Sequence, residues 1–147
     1  MPTAETGLHV LLVEDNPAHA RLVMLPLSRR GVKVDWAPDG EAAVNWLTAP
    51  GGAHGASLVL LDLRMPGLNG FEVLDRVRHQ GNVQHIPVII LSTSAEISDI
   101  QEAYRLGANA YLVKPTDFDE LDKAVESIVN FWLLHNRTTT KSNETRN

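Results

Sequence analysis

Short aliphatic runs alternate with amphipathic segments along the chain. An apolar run bounded by turn residues is typical of a strand buried on both faces of a sheet, whereas apolar residues at every third or fourth position are typical of a helix. The pattern predicts five strands, at 8–13, 32–37, 58–61, 88–91 and 110–113, with a helix after each. This alternation predicts an α/β fold, an open parallel sheet that is doubly wound, with helices on both faces.

Capping residues and prolines predict where the helices begin and end. Asn16 and Pro17 predict the start of the first helix, because asparagine caps free N–H groups and proline at the first position loses no hydrogen bond. Pro26 predicts a kink or an early end of that helix. The segment SDIQ at 98–101 resembles a capping box, so the fourth helix is predicted to begin near Asp99.

The last helix, predicted from about 117 to 135, carries more apolar residues than one helix face needs. A single core-facing stripe is formed by Leu121, Val125, Ile128 and Trp132. At about 100° per residue, Phe131, Leu133 and Leu134 fall outside that stripe. These side chains either cover the lower edge of the sheet or form a two-fold dimer interface. The second interpretation is favoured, with Phe131, Trp132 and Leu134 in the interface of a homodimer.

Polar residues follow four of the predicted strands at the point where each strand ends. Glu14 and Asp15 follow the first strand, Asp62 the third, Ser92 the fourth and Lys114 the fifth. The carboxyl ends of parallel strands lie at one edge of the sheet, which is where such folds bind ligands. If the first strand is central, in the order 2-1-3-4-5, Asp15 and Asp62 become neighbours.

Carboxylates that converge in one cleft stay ionised only beside a compensating cation. Their oxygens are hard ligands without histidine or cysteine partners, which favours Mg²⁺ or Mn²⁺. A divalent ion, the ammonium group of Lys114 and the hydroxyl of Ser92 around one carboxylate are the parts that phosphoryl acceptance needs. Taken singly, the acids would be helix caps and Lys114 would pair with an acid. Taken together, they favour a phosphoryl acceptor.

Composition limits the classes of function further. The chain has 147 residues, 44% of them apolar, as expected for one globular domain. The net charge of −5 disfavours a nucleic-acid partner, and the absence of cysteine excludes disulfides and thiolate metal sites. No apolar run has the length of a membrane-spanning helix and no leader pattern opens the chain. We therefore expect a cytoplasmic protein without a membrane partner.

Four segments, taken in order and at their spacing, resemble the receiver domains of two-component response regulators. They are LVEDN at 12–16, LDLRMPGLNG at 61–70, IILST at 89–93 and LVKP at 112–115. The resemblance implies a flavodoxin-like receiver fold over 1–136, and the polar segment 137–147 is predicted to be a disordered tail. It also implies a signalling protein and not an enzyme.

The resemblance implies a metal site at the acids. Asp62 would be the phosphoacceptor. Mg²⁺ would be bound by Asp15, Asp62 and the backbone carbonyl of Arg64, with Glu14 acting through water. Asn69 stands where the family usually has aspartate, and little consequence is expected because asparagine also tolerates turn geometry.

The same resemblance implies a switch. Lys114 and Ser92 would bind the phosphoryl oxygens, and Tyr111 would be the aromatic residue that enters the space they vacate. The added charge would then repack the surface of the fourth helix, fifth strand and last helix.

The output and the partners are also predicted from this resemblance. Only 11 residues (147 minus 136) follow Asn136, too few for an effector domain, so the receiver itself would make the output contact or act as a phosphorelay or phosphate sink. The segment NFWL at 130–133 resembles single-domain regulators of phytochrome-type kinases. The predicted upstream partner is thus a sensor histidine kinase, specifically a light-sensing bacteriophytochrome.

Two other classes remain open. A flavodoxin-like electron carrier shares the fold, but Glu14 and Asp15 would repel the phosphate of its cofactor. A Mg²⁺-dependent phosphatase of the haloacid-dehalogenase type also uses an aspartate at a strand end. It normally needs a second aspartate two residues later, where this chain has Arg64.

Overall fold

The computed structural model describes residues 7–49, 56–80 and 83–135, and the predicted tail at 137–147 lies outside them. These residues contain a five-stranded parallel sheet in the order β2-β1-β3-β4-β5. The strands are β1 (His9–Val13), β2 (Lys33–Ala37), β3 (Leu58–Leu61), β4 (Val88–Ser92) and β5 (Ala110–Val113). The predicted fold class and strand order are confirmed.

Helices cover both faces of the sheet. They are α1 (Pro17–Arg29), α2 (Gly40–Thr48), α3 (Gly70–Arg78), α4 (Ile97–Arg105) and α5 (Phe118–Ile128), which continues into a π-helix, Val129–His135. Apolar side chains of α2, α3 and α4 pack on one face, and those of α1, α5 and the π-helix pack on the other. The strands β1, β3 and β4 are buried along their whole length because both faces are covered.

The start of α4 differs from the prediction. The helix begins at Ile97, and its N-cap residue, Glu96, makes no capping hydrogen bond through its side chain. The predicted capping box at 98–101 is wrong, because its capping residue, Ser98, already lies inside the helix. The carboxylate of Asp99, in the same turn, is buried and accepts hydrogen bonds from Ser94 and Arg64.

Pro26 does not end α1. The helix runs on to Arg29, and Pro26 is buried within it. The carbonyl oxygen of Pro26 accepts a hydrogen bond from the guanidinium of Arg30 at 2.9 Å, and the same guanidinium pairs with Asp122 of α5. These contacts tie the last turn of α1 to its neighbouring helix.

The π-helix changes which residues face the core after α5. Leu133 is buried together with Val129, so its predicted place outside the core stripe is wrong. A π-helix has backbone hydrogen bonds between residues i and i+5, and this wider turn places Leu133 closer to the side of the helix on which Ile128 lies. Phe131 is 54% exposed, as the stripe predicted, and its ring meets the half-buried ring of Trp132 edge to face. The side chain of Leu134 lies outside the described part of the structure.

Candidate functional site

Backbone hydrogen bonds fix the first residues beyond the strands. The N–H of Glu14 donates to the carbonyl of Ala37 at 3.1 Å, and the N–H of Asp62 donates to the carbonyl of Val13 at 3.0 Å. The N–H of Lys114 likewise donates to the last carbonyl of β4 at 2.6 Å. The sheet's hydrogen bonding therefore extends one residue past β1, β3 and β5, and these polar side chains leave the sheet from fixed positions.

Three of the predicted acids meet at this edge. One carboxylate oxygen from each of Glu14, Asp15 and Asp62 lies within 4.8 Å of the other two, and Glu14 is buried while Asp15 and Asp62 are partly exposed. Three hard oxygen donors at this spacing fit a divalent cation with an exposed side left for water or substrate. The adjacency of β1 and β3 brings Asp15 and Asp62 together.

Lys114 reaches the cluster through Glu14. Its Nζ donates to Oε1 of Glu14 at 2.7 Å, and the two side chains are only 8% and 3% exposed. The other oxygen of Glu14 accepts from the N–H of Asn16 at 3.1 Å. The indole N–H of Trp36 donates to the Glu14 carbonyl at 2.7 Å, so side chain and backbone of this acid are both held.

The negative charge of Asp62 is only partly compensated by its surroundings. Burial raises its pKa from 3.8 to about 6, and the nearby charge of Glu14 adds to the rise. The charge of Lys114 and the N–H groups of Arg64 and Leu63 oppose the rise without cancelling it. A carboxyl held in this way gains from a cation placed between it and its acidic neighbours.

Gly70 allows α3 to start directly against the Asp62 backbone. A Cβ at position 70 would lie 2.3 Å from the carbonyl oxygen of Asp62 and 2.7 Å from the Cα of Leu63. The N–H of Gly70 donates to the Leu63 carbonyl at 3.0 Å, and Asn69 caps the helix through a reciprocal pair with Glu72. Sequence reasoning missed this role of Gly70 in placing Asp62.

Ser92 and Tyr111 meet at the loop after β4. Ser92 is fully buried, and its hydroxyl accepts a hydrogen bond from the N–H of Ser94 at 3.2 Å. Tyr111 is half-buried against the core, and its hydroxyl donates to the Ser94 carbonyl at 2.8 Å. The tyrosine therefore already lies inward, in contact with the loop that carries Ser92. No sequence signal had marked Ser94 as the residue that joins them.

Across the described part of the chain, no helix combines the length and apolar character that crossing a bilayer requires.

Known proteins resemble this chain over most of its length. It is 41% identical over 139 residues to the probable methanogenesis regulatory protein FilR2 of Methanothrix harundinacea, covering 92% of this chain and 90% of that protein. It is 36% identical over 129 residues to the response regulator Rcp1 of Synechocystis, covering 84% and 88% respectively.

Solved structures with the same fold include regulators of phytochrome systems. The phosphorylated cyanobacterial phytochrome response regulator RcpA matches with a TM-score of 0.82 and 34% identity, over 88% of this chain and 96% of that one. The Mn²⁺-bound form of Rcp1 matches with a TM-score of 0.78 and 33% identity, over 88% and 97%.

A family model supports the same assignment. The response regulator receiver domain matches residues 10–126, which include the whole acid cluster, Ser92, Tyr111 and Lys114. Proteins of this family are signalling proteins that bind a divalent metal and interact with sensor histidine kinases. The chain belongs to the response regulator receiver domain family and is similar to the single-domain regulators of phytochrome systems.

Proposed function

We propose that this protein accepts a phosphoryl group on Asp62 from a phosphohistidine of a sensor histidine kinase. The observation that carries the proposal is the meeting of Glu14, Asp15 and Asp62 within 4.8 Å, with Lys114 in the same cluster. In the transfer, a carboxylate oxygen of Asp62 forms a bond to phosphorus while the phosphorus–nitrogen bond breaks. The imidazole leaves with a proton, and an acyl phosphate remains.

The metal site of the proposal consists of oxygen donors only. Asp15 and Asp62 would bind Mg²⁺ directly, together with the backbone carbonyl of Arg64, and Glu14 would act through water. The burial of Glu14 and its pairing with Lys114 support this indirect role, because its carboxylate already has two partners. When bound, Mg²⁺ supplies positive charge that neutralises the phosphoryl oxygens.

The phosphoryl oxygens would be bound by Lys114 and Ser92. Lys114 can serve because its ammonium group has three donors, and the bond to Glu14 uses one of them. The inward position of Tyr111 supports its role as the aromatic residue of the switch. The phosphoryl group on Asp62, which carries about −1.5 to −2 charges in place of the single charge of the carboxylate, would then stabilise one arrangement of the β4–α4 loop over others.

The upstream partner of the proposal is a light-sensing bacteriophytochrome kinase. The similarity of this chain to RcpA, a cyanobacterial phytochrome response regulator, supports this choice. FilR2, described as a methanogenesis regulator, is a relative at higher identity, and it favours the alternative of another sensor kinase. Phosphotransfer profiling with a purified phytochrome kinase and a non-phytochrome kinase separates the two.

A homodimer completes the proposal. Phe131 is exposed beside the half-buried Trp132, which supports an interface formed by the π-helix, with Leu134 as a third member. We assign residues 1–136 to the receiver and 137–147 to a polar tail. The output would be a contact made by the receiver itself, or passage of the phosphoryl group along a relay.

The central test is phosphoryl labelling of the purified protein by acetyl phosphate in the presence of Mg²⁺. Intact mass spectrometry should show one added phosphoryl group on the native chain and none on Asp62→Asn. Asp39→Asn is the matched control, because Asp39 also follows a strand of the sheet but only caps α2 through the N–H of Ala42. Retention of the label on Asp62→Asn would reject the assignment.

A further inference from the structure

Arg64, Ser94 and Asp99 form a hydrogen-bonded group that we name the Asp99 clamp. One carboxylate oxygen of Asp99 accepts from the hydroxyl of Ser94 at 2.6 Å and from the guanidinium of Arg64 at 2.5 Å. The Asp99 side chain is 13% exposed, whereas that of Arg64 is 64% exposed. The clamp joins three segments: the loop after the phosphoacceptor strand β3, the loop after β4, and the first turn of α4.

Ser94 passes this connection on to the switch residues. Its N–H donates to the hydroxyl of Ser92, and its carbonyl accepts from the hydroxyl of Tyr111. Its own hydroxyl donates to Asp99 and also accepts from the N–H of Glu96. All of the polar groups of Ser94 are therefore engaged, and the position of the residue depends on where Asp99 holds its hydroxyl.

The hydrogen bonds that Asp99 accepts come from outside its own helix. Asp99 lies in the first turn of α4, yet the N-cap of that helix makes no side-chain hydrogen bond and Asp99 caps nothing. A buried carboxylate is costly unless charged and polar partners compensate it. The two partners of Asp99, Arg64 and Ser94, lie in the loops after β3 and β4. Their hydrogen bonds to Asp99 therefore connect α4 to the phosphoacceptor site.

We propose that Asp99 is a positioning residue for phosphoryl binding, which holds Ser94 and Arg64 together so that Ser92 and Tyr111 are in place before the phosphoryl group arrives. The inference rests on the proposed function of Asp62. Without the clamp, the loop after β4 samples more conformations. Only molecules in which this loop has the competent arrangement can then bind the phosphoryl group, so the apparent affinity falls in proportion to their fraction.

Beryllium trifluoride, a stable mimic of the phosphoryl group, tests the inference in the full-length protein with Mg²⁺. Asp99→Asn removes the charge that binds Arg64, and we expect it to weaken beryllium trifluoride binding about tenfold, while Mg²⁺ affinity measured alone changes less than about twofold. Calorimetry measures both affinities. Glu102→Gln is the matched control, because the pair of Glu102 and Arg105 lies on the same helix, is exposed, and does not reach the site.

A mutant cycle distinguishes positioning from a general loss of stability. Ser94→Ala should weaken binding about as much as Asp99→Asn, the double variant should be no weaker than either, and Ser94→Thr, which keeps the hydroxyl, should restore affinity. Arg64→Gln removes the other charged member of the clamp and should also weaken beryllium trifluoride binding. Its side chain is exposed, so the substitution should leave the core folded.

The possible results separate failure of the Asp99 clamp from failure of phosphoryl acceptance on Asp62. Unchanged or tighter beryllium trifluoride binding in Asp99→Asn, or additive losses in the double variant, would overturn the clamp while leaving phosphoryl acceptance intact. A native protein that binds Mg²⁺ but not beryllium trifluoride would overturn the proposed function, and the clamp with it.

Discussion

Replacing Asp62 by asparagine should make the metal-free protein more stable at neutral pH, although it removes the phosphoacceptor. The carboxyl group has a pKa of about 6 in the folded protein against 3.8 as its ordinary value, because burial and Glu14 disfavour its charged form. A group whose pKa is raised on folding binds protons more tightly in the folded state. Ionising Asp62 therefore costs folding stability, and the amide avoids that cost.

The size of the effect follows from the pKa difference. About two pKa units correspond to about 3 kcal/mol for a fully buried group. Asp62 is only partly buried, and solvent screening reduces this to about 1–2 kcal/mol. For a domain of this size we expect the melting temperature to rise by about 2–8 °C. The advantage of Asp62→Asn should be complete about one pH unit above the folded pKa of about 6, shrink as the pH falls through that value, and disappear below the ordinary pKa of 3.8, where the native carboxyl is protonated in both states; at pH 4 only a small part of it should remain.

Thermal and urea unfolding of both proteins in a chelator, at pH 7.5 and pH 4, measure the effect. Asp39→Asn is the control, because asparagine caps a helix as well as aspartate does and no stabilisation is expected. Millimolar Mg²⁺ should reduce or reverse the difference, since the native site binds the cation better than the variant. A lower stability of Asp62→Asn than of the native protein at pH 7.5 without metal, or an advantage that persists unchanged at pH 4, would refute this prediction.

Three further results are expected. Asp15→Asn should weaken Mg²⁺ binding at least about tenfold, because one of the three converging charges is lost; an unchanged titration would contradict the metal site. Phe131→Glu should convert a dimer to a monomer in light scattering, whereas Leu22→Glu, at an exposed apolar residue on α1, should not; equal masses would remove the dimer. Gly70→Ala should cost about 1–3 kcal/mol in urea unfolding and reduce Asp62 labelling, because the added methyl meets the Asp62 carbonyl; native stability with native labelling would show that the close approach is unimportant.

Local patterns in the sequence were sufficient to predict the fold and the edge that carries the site. Buried aliphatic runs that end in polar residues identify parallel strands, and parallel strands deliver their carboxyl ends to one edge. Asp15 and Asp62 could therefore be placed at the same edge of the sheet before any coordinates, whereas their position as neighbours depended on the strand order that puts β1 beside β3. The start of α1 at Asn16 was predicted for the same local reason, a cap followed by proline.

Features that depend on contacts between distant segments were decided by the tertiary structure. Lys114 donates a hydrogen bond to Glu14, 100 positions away, and Asp99 accepts hydrogen bonds from Arg64 and Ser94, which lie in two other segments. Leu133 turns into the core because the chain continues as a π-helix, which the regular angle of an α-helix does not anticipate. Periodicity reports which face of an element is buried, whereas the partner of a charged side chain is chosen by the neighbours that packing brings within hydrogen-bonding distance.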